Sequence, residues 1–84
     1  MYRAELYIQG ECASYECLVE PWAFGITIEP LDSCRLVAEN PDQVPKVSCS
    51  VGKNRLIITV DGMGSTFKFY RGETLELDMP IATI

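Results

Sequence analysis

The side chains available for chemistry in this sequence are carboxylates and thiols, since it has twelve Asp and Glu residues, four Cys and no His. Histidine is the usual general base at neutral pH, so the common Ser–His and Cys–His nucleophile pairs cannot form. Two carboxylates can act as acid and base in glycoside hydrolysis, but that reaction needs a cleft around a sugar chain. A chain of 84 residues has little bulk from which to build one. We therefore expect a protein that is not an enzyme and that carries no cofactor.

The four cysteines are Cys12, Cys17, Cys34 and Cys49. They include no Cys-x-x-Cys pair and match no zinc-binding spacing, so no metal site is predicted. Cys17, Cys34 and Cys49 fall in phase with Val and Ile neighbours, which indicates buried, reduced thiols that pack as small hydrophobic residues. Two disulfides in an exported form are the alternative.

A glycine-rich stretch, Asp61-Gly62-Met63-Gly64-Ser65, separates two apolar segments. Such a stretch can form a backbone nest for an anion, but no helix and no P-loop lysine follow it here. Hairpin geometry is the favoured explanation for Gly62 and Gly64. Met63, at the predicted tip, either contacts a partner or folds back over the core.

Acidic charge is concentrated in the first half of the chain. The net charge is −5 overall, and residues 1–42 hold eight acidic and two basic residues, a net charge of −6. Nucleic-acid binding depends on neutralising phosphates, so this excess argues against a nucleic-acid partner. It favours a partner protein with a basic surface, or simple solubility.

Apolar residues alternate with polar ones along most of the chain, which is typical of half-buried β-strands. The alternation predicts strands over 2–9, 13–20, 24–29, 33–38 and 46–51, and three more between 54 and 77. Pro80 predicts that any strand in the tail lies at a sheet edge. The predicted inward residues are Tyr2, Ala4, Leu6, Ile8, Ala13, Tyr15, Cys17, Val19, Phe24, Ile26, Ile28, Cys34, Leu36, Ala38, Val47, Cys49, Val51, Leu56, Ile58, Val60, Phe67, Phe69, Leu75, Leu77 and Met79.

These residues are numerous and bulky enough to fill the space between short strands at ordinary packing density. The fold class predicted is all-β, a small antiparallel β-sandwich or filled β-barrel of about seven to eight short strands, mostly hairpin-connected. Residues 1–84 are expected to form a single domain.

The first two strands are predicted to form a hairpin with Gly10-Glu11 as its turn. Every inward pair of that register is apolar, but its outer face places Glu5 directly opposite Glu16. Like charges opposed in this way are destabilising. The alternatives are a solvated face with a local ion pair, or an acidic face kept for a basic partner, formed by Glu5, Tyr7, Glu16 and Glu20.

Trp22 is the only tryptophan and follows Pro21 in a predicted turn. Tryptophan is enriched at binding hot spots, so Trp22 is a candidate protein-binding residue. The alternative is that it covers one end of the core, which needs aromatic area in so small a domain.

The function predicted is a small acidic non-catalytic protein-binding module, of the inhibitor, immunity-protein or adaptor kind, that engages a basic partner surface. The alternative is a structural or assembly subunit that associates through strand edges, for example as a homodimer. An enzyme or a small-ligand binder is less favoured. No export signal and no apolar run of about 18 residues are evident, so we expect a cytoplasmic protein with no membrane partner.

Overall fold

The computed structural model describes residues 1–79, and Pro80 and the tail lie outside the described residues. These residues form eight β-strands and no helix, which confirms the all-β prediction. The strands are β1 (Tyr2–Gln9), β2 (Tyr15–Glu20), β3 (Phe24–Ile28), β4 (Ser33–Asn40), β5 (Lys46–Gly52), β6 (Arg55–Asp61), β7 (Thr66–Arg71) and β8 (Thr74–Met79).

The strands form two four-stranded sheets. Sheet A has the order β1-β4-β7-β8 and sheet B the order β3-β2-β6-β5. Alternate side chains of both sheets meet in one apolar core, as the period-two pattern requires. The core residues are Ile8, Cys17, Val19, Ile26, Ile28, Cys34, Leu36, Ala38, Ile58, Val60, Phe67 and Phe69. The molecule is therefore a small β-sandwich, within the predicted fold class.

Three of the seven connections are hairpins: β2–β3, β5–β6 and β7–β8. In the second, Cys49 lies opposite Ile58 as the sequence predicts, and Asn54 takes a positive φ of 57° in the turn. In the third, Gly72 has φ of 60°, a conformation that glycine adopts without steric cost. The other four connections cross between the sheets.

The predicted hairpin between β1 and β2 is wrong. β1 pairs instead with β4 along its whole length, antiparallel, with Leu6 opposite Leu36 and Arg3 opposite Glu39. Gly10 does not form a tight turn; its amide donates to the carbonyl of Asp32 at 2.7 Å. That hydrogen bond ties the end of β1 to the β3–β4 connection. Beyond this point the chain leaves sheet A and enters sheet B.

Two further pairings differ from the expected pattern. β2 and β6 are neighbours in parallel, with Leu18 beside Ile57, so antiparallel pairing throughout is wrong in detail. β6 and β7 do not form a hairpin, because 62–65 carries the chain from sheet B to sheet A. Gly62 and Gly64 in this connection have φ of 125° and 87°, which explains glycine at both positions without a tight hairpin.

Most predicted inward residues are buried or half-buried, but Tyr2, Ala13, Cys49, Val51 and Leu75 are exposed. Four of these lie on β1, β5 or β8, which are edge strands, where a neighbouring strand is missing on one side. The fifth, Ala13, lies in the connection before β2 rather than in a strand. Phase predicts which way a side chain points, but strand order decides how well it is covered.

Arg71 closes one end of the sandwich. Its guanidinium donates to Asp32 and, at 2.5 Å through Nε, to Glu76. It also donates to the carbonyl of Thr27 at 3.1 Å, which links sheet A to the edge strand β3 of sheet B. The hydrogen bond to Glu76 raises the pKa of Arg71, although its partial burial acts in the opposite direction. Arg71 therefore remains charged and holds the two sheets together at this end.

Candidate functional site

The structure separates the four residues of the predicted acidic face. Glu5 and Tyr7 lie on the outer face of sheet A, because β1 belongs to that sheet. Glu16 and Glu20 lie on the outer face of sheet B, on β2. The two pairs therefore face opposite sides of the sandwich, and the predicted opposition of Glu5 and Glu16 is wrong. Each outer face has to be considered separately as a site.

The acidic residues on the outer face of sheet A lie close to basic neighbours. Nη1 of Arg35 lies 3.3 Å from Oε1 of Glu5. Glu39 is shared between Arg3, at 3.2 Å, and Lys68, at 3.6 Å. Exposed ion pairs of this kind add little stability, but they neutralise the local charge. Glu5 thus contributes little negative potential to a partner.

Tyr7 and Arg35 are opposite each other in the β1–β4 register. The guanidinium of Arg35 also lies over the ring of Tyr70, 4.5 Å from its centroid, in cation–π geometry. Tyr7 itself is 67% exposed. The predicted aromatic anchor therefore lies beside a positive charge and on a different face from Glu16 and Glu20.

The outer face of sheet B has a different composition. Glu16, Leu18 and Glu20 alternate along β2 and point to the same side. Ile57 of β6 lies beside Leu18, and Gly25 of β3 lies on the other side of Leu18. Because glycine has no side chain, the residue of β3 directly beside Leu18 does not cover it. We call Glu16, Leu18, Glu20 and Ile57 the β2–β6 face.

The two acids of the β2–β6 face lack the basic partners found on sheet A. Within residues 1–79, neither Glu16 nor Glu20 lies in an ion pair. Oε1 of Glu16 accepts a hydrogen bond from Oγ1 of Thr27 at 2.7 Å, which orients the carboxylate without neutralising it. Arg55 neighbours Glu16 in the register but forms no ion pair with it. The face therefore has an apolar centre, Leu18 and Ile57, between two carboxylates that form no ion pair.

Trp22 packs on the core at the β2–β3 turn. Its ring and that of Phe67 have centroids 4.7 Å apart and meet at 70°, an edge-to-face contact. Phe67 is buried and Trp22 is half-buried. Trp22 thus covers one end of the core, as the second interpretation of this residue expected.

Asn40 joins the β4–β5 connection to the 61–65 segment and was not singled out from the sequence. It is fully buried, and its Nδ2 donates to the carbonyl of Met63 and to Oγ of Ser65, both at 2.9 Å. Its Oδ1 accepts from the backbone amides of Asp42, at 2.8 Å, and Gln43, at 3.2 Å. The sequence feature that could have identified Asn40 is its spacing, since it lies two residues after Ala38 and continues the inward positions of β4. It is a structural residue whose four hydrogen bonds satisfy the whole side-chain amide.

The side chain of Met63 is 92% exposed, so of its two predicted alternatives the one in which it folds back over the core is wrong. Its carbonyl, held by Asn40, fixes the loop in place while its side chain points to solvent. Asp61, Gly62 and Gly64 flank it in the same connection. A partner contact through this loop stays a prediction.

All four cysteines are free thiols. Cys17 and Cys34 are buried as predicted, whereas Cys12 and Cys49 are exposed, so the predicted burial of Cys49 is wrong. Burial raises the pKa of Cys17 to about 11, and the nearby thiols of Cys49 and Cys34 add to the shift. Burial also raises the pKa of Cys34, against the opposing charge of Arg71. Among the described residues no three His, Cys, Asp or Glu side chains are arranged to hold a metal ion.

We expect two fast and two slow thiols in the native protein at about pH 8, because the thiolate is the reactive form. Cys12 and Cys49 should react at once with a thiol reagent, and Cys17 and Cys34 only after denaturant is added. Counting modified thiols by mass spectrometry checks this. In a Cys12→Ser variant a single fast thiol should remain. Rapid reaction of all four would contradict the burial of Cys17 and Cys34.

Two surface concavities bear on small-ligand binding. One of about 390 Å³ lies between 11–15 and the β5–β6 turn, and its polar lining includes Glu11 and Arg55. The other, of about 420 Å³, lies beside Tyr7 and Glu73. Neither includes the β2–β6 face. Both are large enough for a small molecule. The lining of the second also includes Ser33 and Arg35.

Comparison with protein-family models, with curated proteins and with solved structures finds no significant match to this chain. Over residues 1–79 there is no helix long and apolar enough to cross a bilayer.

Proposed function

We propose that this protein is a non-catalytic protein-binding module that engages a basic partner surface through the β2–β6 face. The observation that carries the proposal is the pairing of Leu18 with Ile57 between the unneutralised carboxylates of Glu16 and Glu20. An apolar centre inside a charged rim is the usual composition of a binding surface between proteins. On sheet A, Glu5 and Glu39 already form ion pairs within the molecule, so these two carboxylates offer less to a charged partner.

The geometry of the face favours a protein over a small molecule as the partner. Strand β2 has strands on both sides, and Leu18 lies within the sheet rather than in either of the two concavities. Gly25 leaves room for a partner side chain to approach Leu18 from the β3 side. Lysine or arginine residues on the partner would reach Glu16 and Glu20 while an apolar residue packs on Leu18.

The test begins with a tagged protein used to capture a partner from its own cell lysate, identified by mass spectrometry and then purified. We expect Glu16→Lys/Glu20→Lys to weaken binding of that partner by about 10–100-fold in a titration, because charge reversal removes attraction and adds repulsion. Affinity of the unaltered protein should also fall as salt rises, since salt screens exposed charges.

The matched control is Glu11→Lys/Glu73→Lys, which changes the net charge equally at two exposed positions away from the face. This control variant should reduce affinity by less than about threefold, because it changes only the electrostatic field of the protein as a whole. Leu18→Ser tests the apolar centre at constant charge and should weaken binding about tenfold. Equal losses in the control and the face variant would overturn the proposed site, as would unchanged affinity in both face variants.

A further inference from the structure

Strand β5 is the least protected edge of the sandwich. It is seven residues long, it pairs with β6 on one side only, and six of its seven residues are exposed. Val51 is 84% exposed although it lies in the inward phase opposite Leu56. An exposed edge offers unpaired backbone amides and carbonyls to another strand, and proteins usually block such edges with charges, prolines or bulges.

The other three edges carry such protection. β1 has Arg3 and Glu5, and β8 has Glu76 and Asp78. β3 is only five residues long, and Arg71 donates to its Thr27 carbonyl. β5 has no proline and no irregularity in its pairing, and its only charged residue is Lys46, at its first position. Among the edges within residues 1–79, β5 is the one open to strand addition.

The sequence of β5 is symmetric about its central residue. Cys49 is flanked by Ser48 and Ser50, and these by Val47 and Val51. In an antiparallel pair of two copies centred on Cys49, each Val47 lies opposite a Val51 and each Ser48 opposite a Ser50. Lys46 then faces Gly52, so no like charges are directly opposed. A strand that matches itself in this register has a second copy of the same chain as its natural partner.

We infer that two copies of this chain associate through β5, antiparallel and in register about Cys49, to form a continuous eight-stranded sheet. The two-fold axis is perpendicular to the sheet, because opposed residues of antiparallel strands point to the same side. Val47, Cys49 and Val51 become covered on the inner side, and the serines pair on the outer side. The β2–β6 faces of both copies stay free and face the same way, so this association is independent of the proposed function.

Sedimentation of the reduced protein over a concentration series tests the association. Pairing of one seven-residue strand buries a small area, so we expect a dimer with Kd of about 10–100 µM. In Ser48→Lys/Ser50→Lys, the lysine at position 48 of each copy faces the lysine at position 50 of the other copy. This repulsion should weaken the dimer at least about tenfold. Ser48→Glu/Ser50→Glu should weaken it equally. A mixture of these two variants should form a dimer that is tighter than the dimer of either variant alone.

Thr74→Lys is the matched control, since it adds a lysine to β8, the edge strand of sheet A, and should leave the dimer unchanged. A monomer at all concentrations, or a dimer that persists in both double variants, would overturn the inference. So would failure of the mixed variants to associate when circular dichroism shows both to be folded.

Register is tested by oxidation in a Cys12→Ser background, where Cys49 is the one exposed cysteine of the three that remain. Opposed residues of an antiparallel pair have Cα atoms about 4.5 or 5.5 Å apart, and both separations suit a disulfide. Copper phenanthroline and oxygen take two protons and two electrons from the two thiols and join their sulfurs. We expect a covalent dimer that is lost in the added Ser48→Lys/Ser50→Lys background. A dimer in sedimentation that does not cross-link would contradict pairing centred on Cys49.

Discussion

Replacing Asn40 with alanine is expected to lower the free energy of unfolding by about 2–4 kcal/mol. The substitution removes four hydrogen bonds from a side chain with no solvent exposure and leaves the Met63 carbonyl and the Ser65 hydroxyl without their donor. Domains of this size have a total stability of roughly 4–12 kcal/mol, so the loss is a large part of it. Urea denaturation followed by circular dichroism measures it.

Asn40→Asp separates loss of the donor from loss of the side chain. The carboxylate keeps the acceptor for the amides of Asp42 and Gln43, but it places a buried charge against the Met63 carbonyl. Burial and that carbonyl raise the pKa of the new carboxyl, whereas the two amide donors lower it. Since the side chain has no solvent exposure, we expect the net pKa to lie above the unfolded value. The variant should therefore be least impaired below about pH 4 and lose stability as pH rises through the folded pKa.

The matched control is Asn54→Asp, the same change in the exposed β5–β6 turn. It should alter stability by less than about 0.5 kcal/mol at any pH between 4 and 8. If Asn40→Asp showed the same small effect as Asn54→Asp, the buried amide would not be the link between the two connections.

Gly10→Ala is the second substitution with a large expected effect. A Cβ at this position would meet the backbone amides of Leu31 and Asp32 at 2.8 Å, and would lie closer still to the Glu29 carbonyl. Backbone atoms cannot rotate away as a side chain can, so the β3–β4 connection must move. This displacement of the connection would weaken the hydrogen bond from the Gly10 amide to the Asp32 carbonyl. We expect a loss of about 2–4 kcal/mol in the free energy of unfolding.

Gly52→Ala serves as the comparison, because a Cβ there meets its nearest atom, the Arg55 carbonyl oxygen, at 3.8 Å. That is ordinary van der Waals contact, and the change should cost less than about 1 kcal/mol. Chemical denaturation of both variants decides between them. A tolerated Gly10→Ala would mean that 29–32 can shift freely, and that Gly10 does not fix where the chain changes sheets.

Period-two spacing predicted the strands well because it depends only on which side of a strand is buried. The same spacing does not indicate which strand lies beside which in a sheet. The inward residues of β1, such as Leu6 and Ile8, are matched equally well by apolar residues of β2 and of β4. Short connections favour a hairpin between consecutive strands, and that preference produced the wrong pairing. The close approach of Gly10 to the β3–β4 connection is a tertiary contact that disagrees with the hairpin, and period-two spacing does not show it.

The predicted opposition of Glu5 and Glu16 was itself evidence against the hairpin between β1 and β2. The hairpin register opposed Glu5 to Glu16, and this unfavourable pair was interpreted as a cost kept for binding. The observed register places Arg3 opposite Glu39, and Arg35 forms an ion pair with Glu5. The simplest physical explanation of the like-charge pair was that the two strands are not neighbours.

The candidate site was predicted in part. Glu16 and Glu20 were chosen from the sequence and lie on one face. Leu18 is an outward apolar residue within β2, and period-two spacing alone predicts no role for it. Its partner Ile57 could not be found from the sequence, because the β2–β6 pair is parallel and its two strands lie far apart in the chain. Parallel strands that are distant in sequence share no turn, so no turn residues between them indicate the pairing.

A nuclear magnetic resonance titration of the ¹⁵N-labelled protein with its captured and purified partner tests the central claim most directly. Partner binding should shift the amide signals of Glu16, Leu18 and Glu20 on β2 and of Ile57 on β6. Signals of Tyr7 and Arg35, on the outer face of sheet A, should stay in place. Shifts confined to sheet A, or to the loop around Met63, would contradict binding through the β2–β6 face.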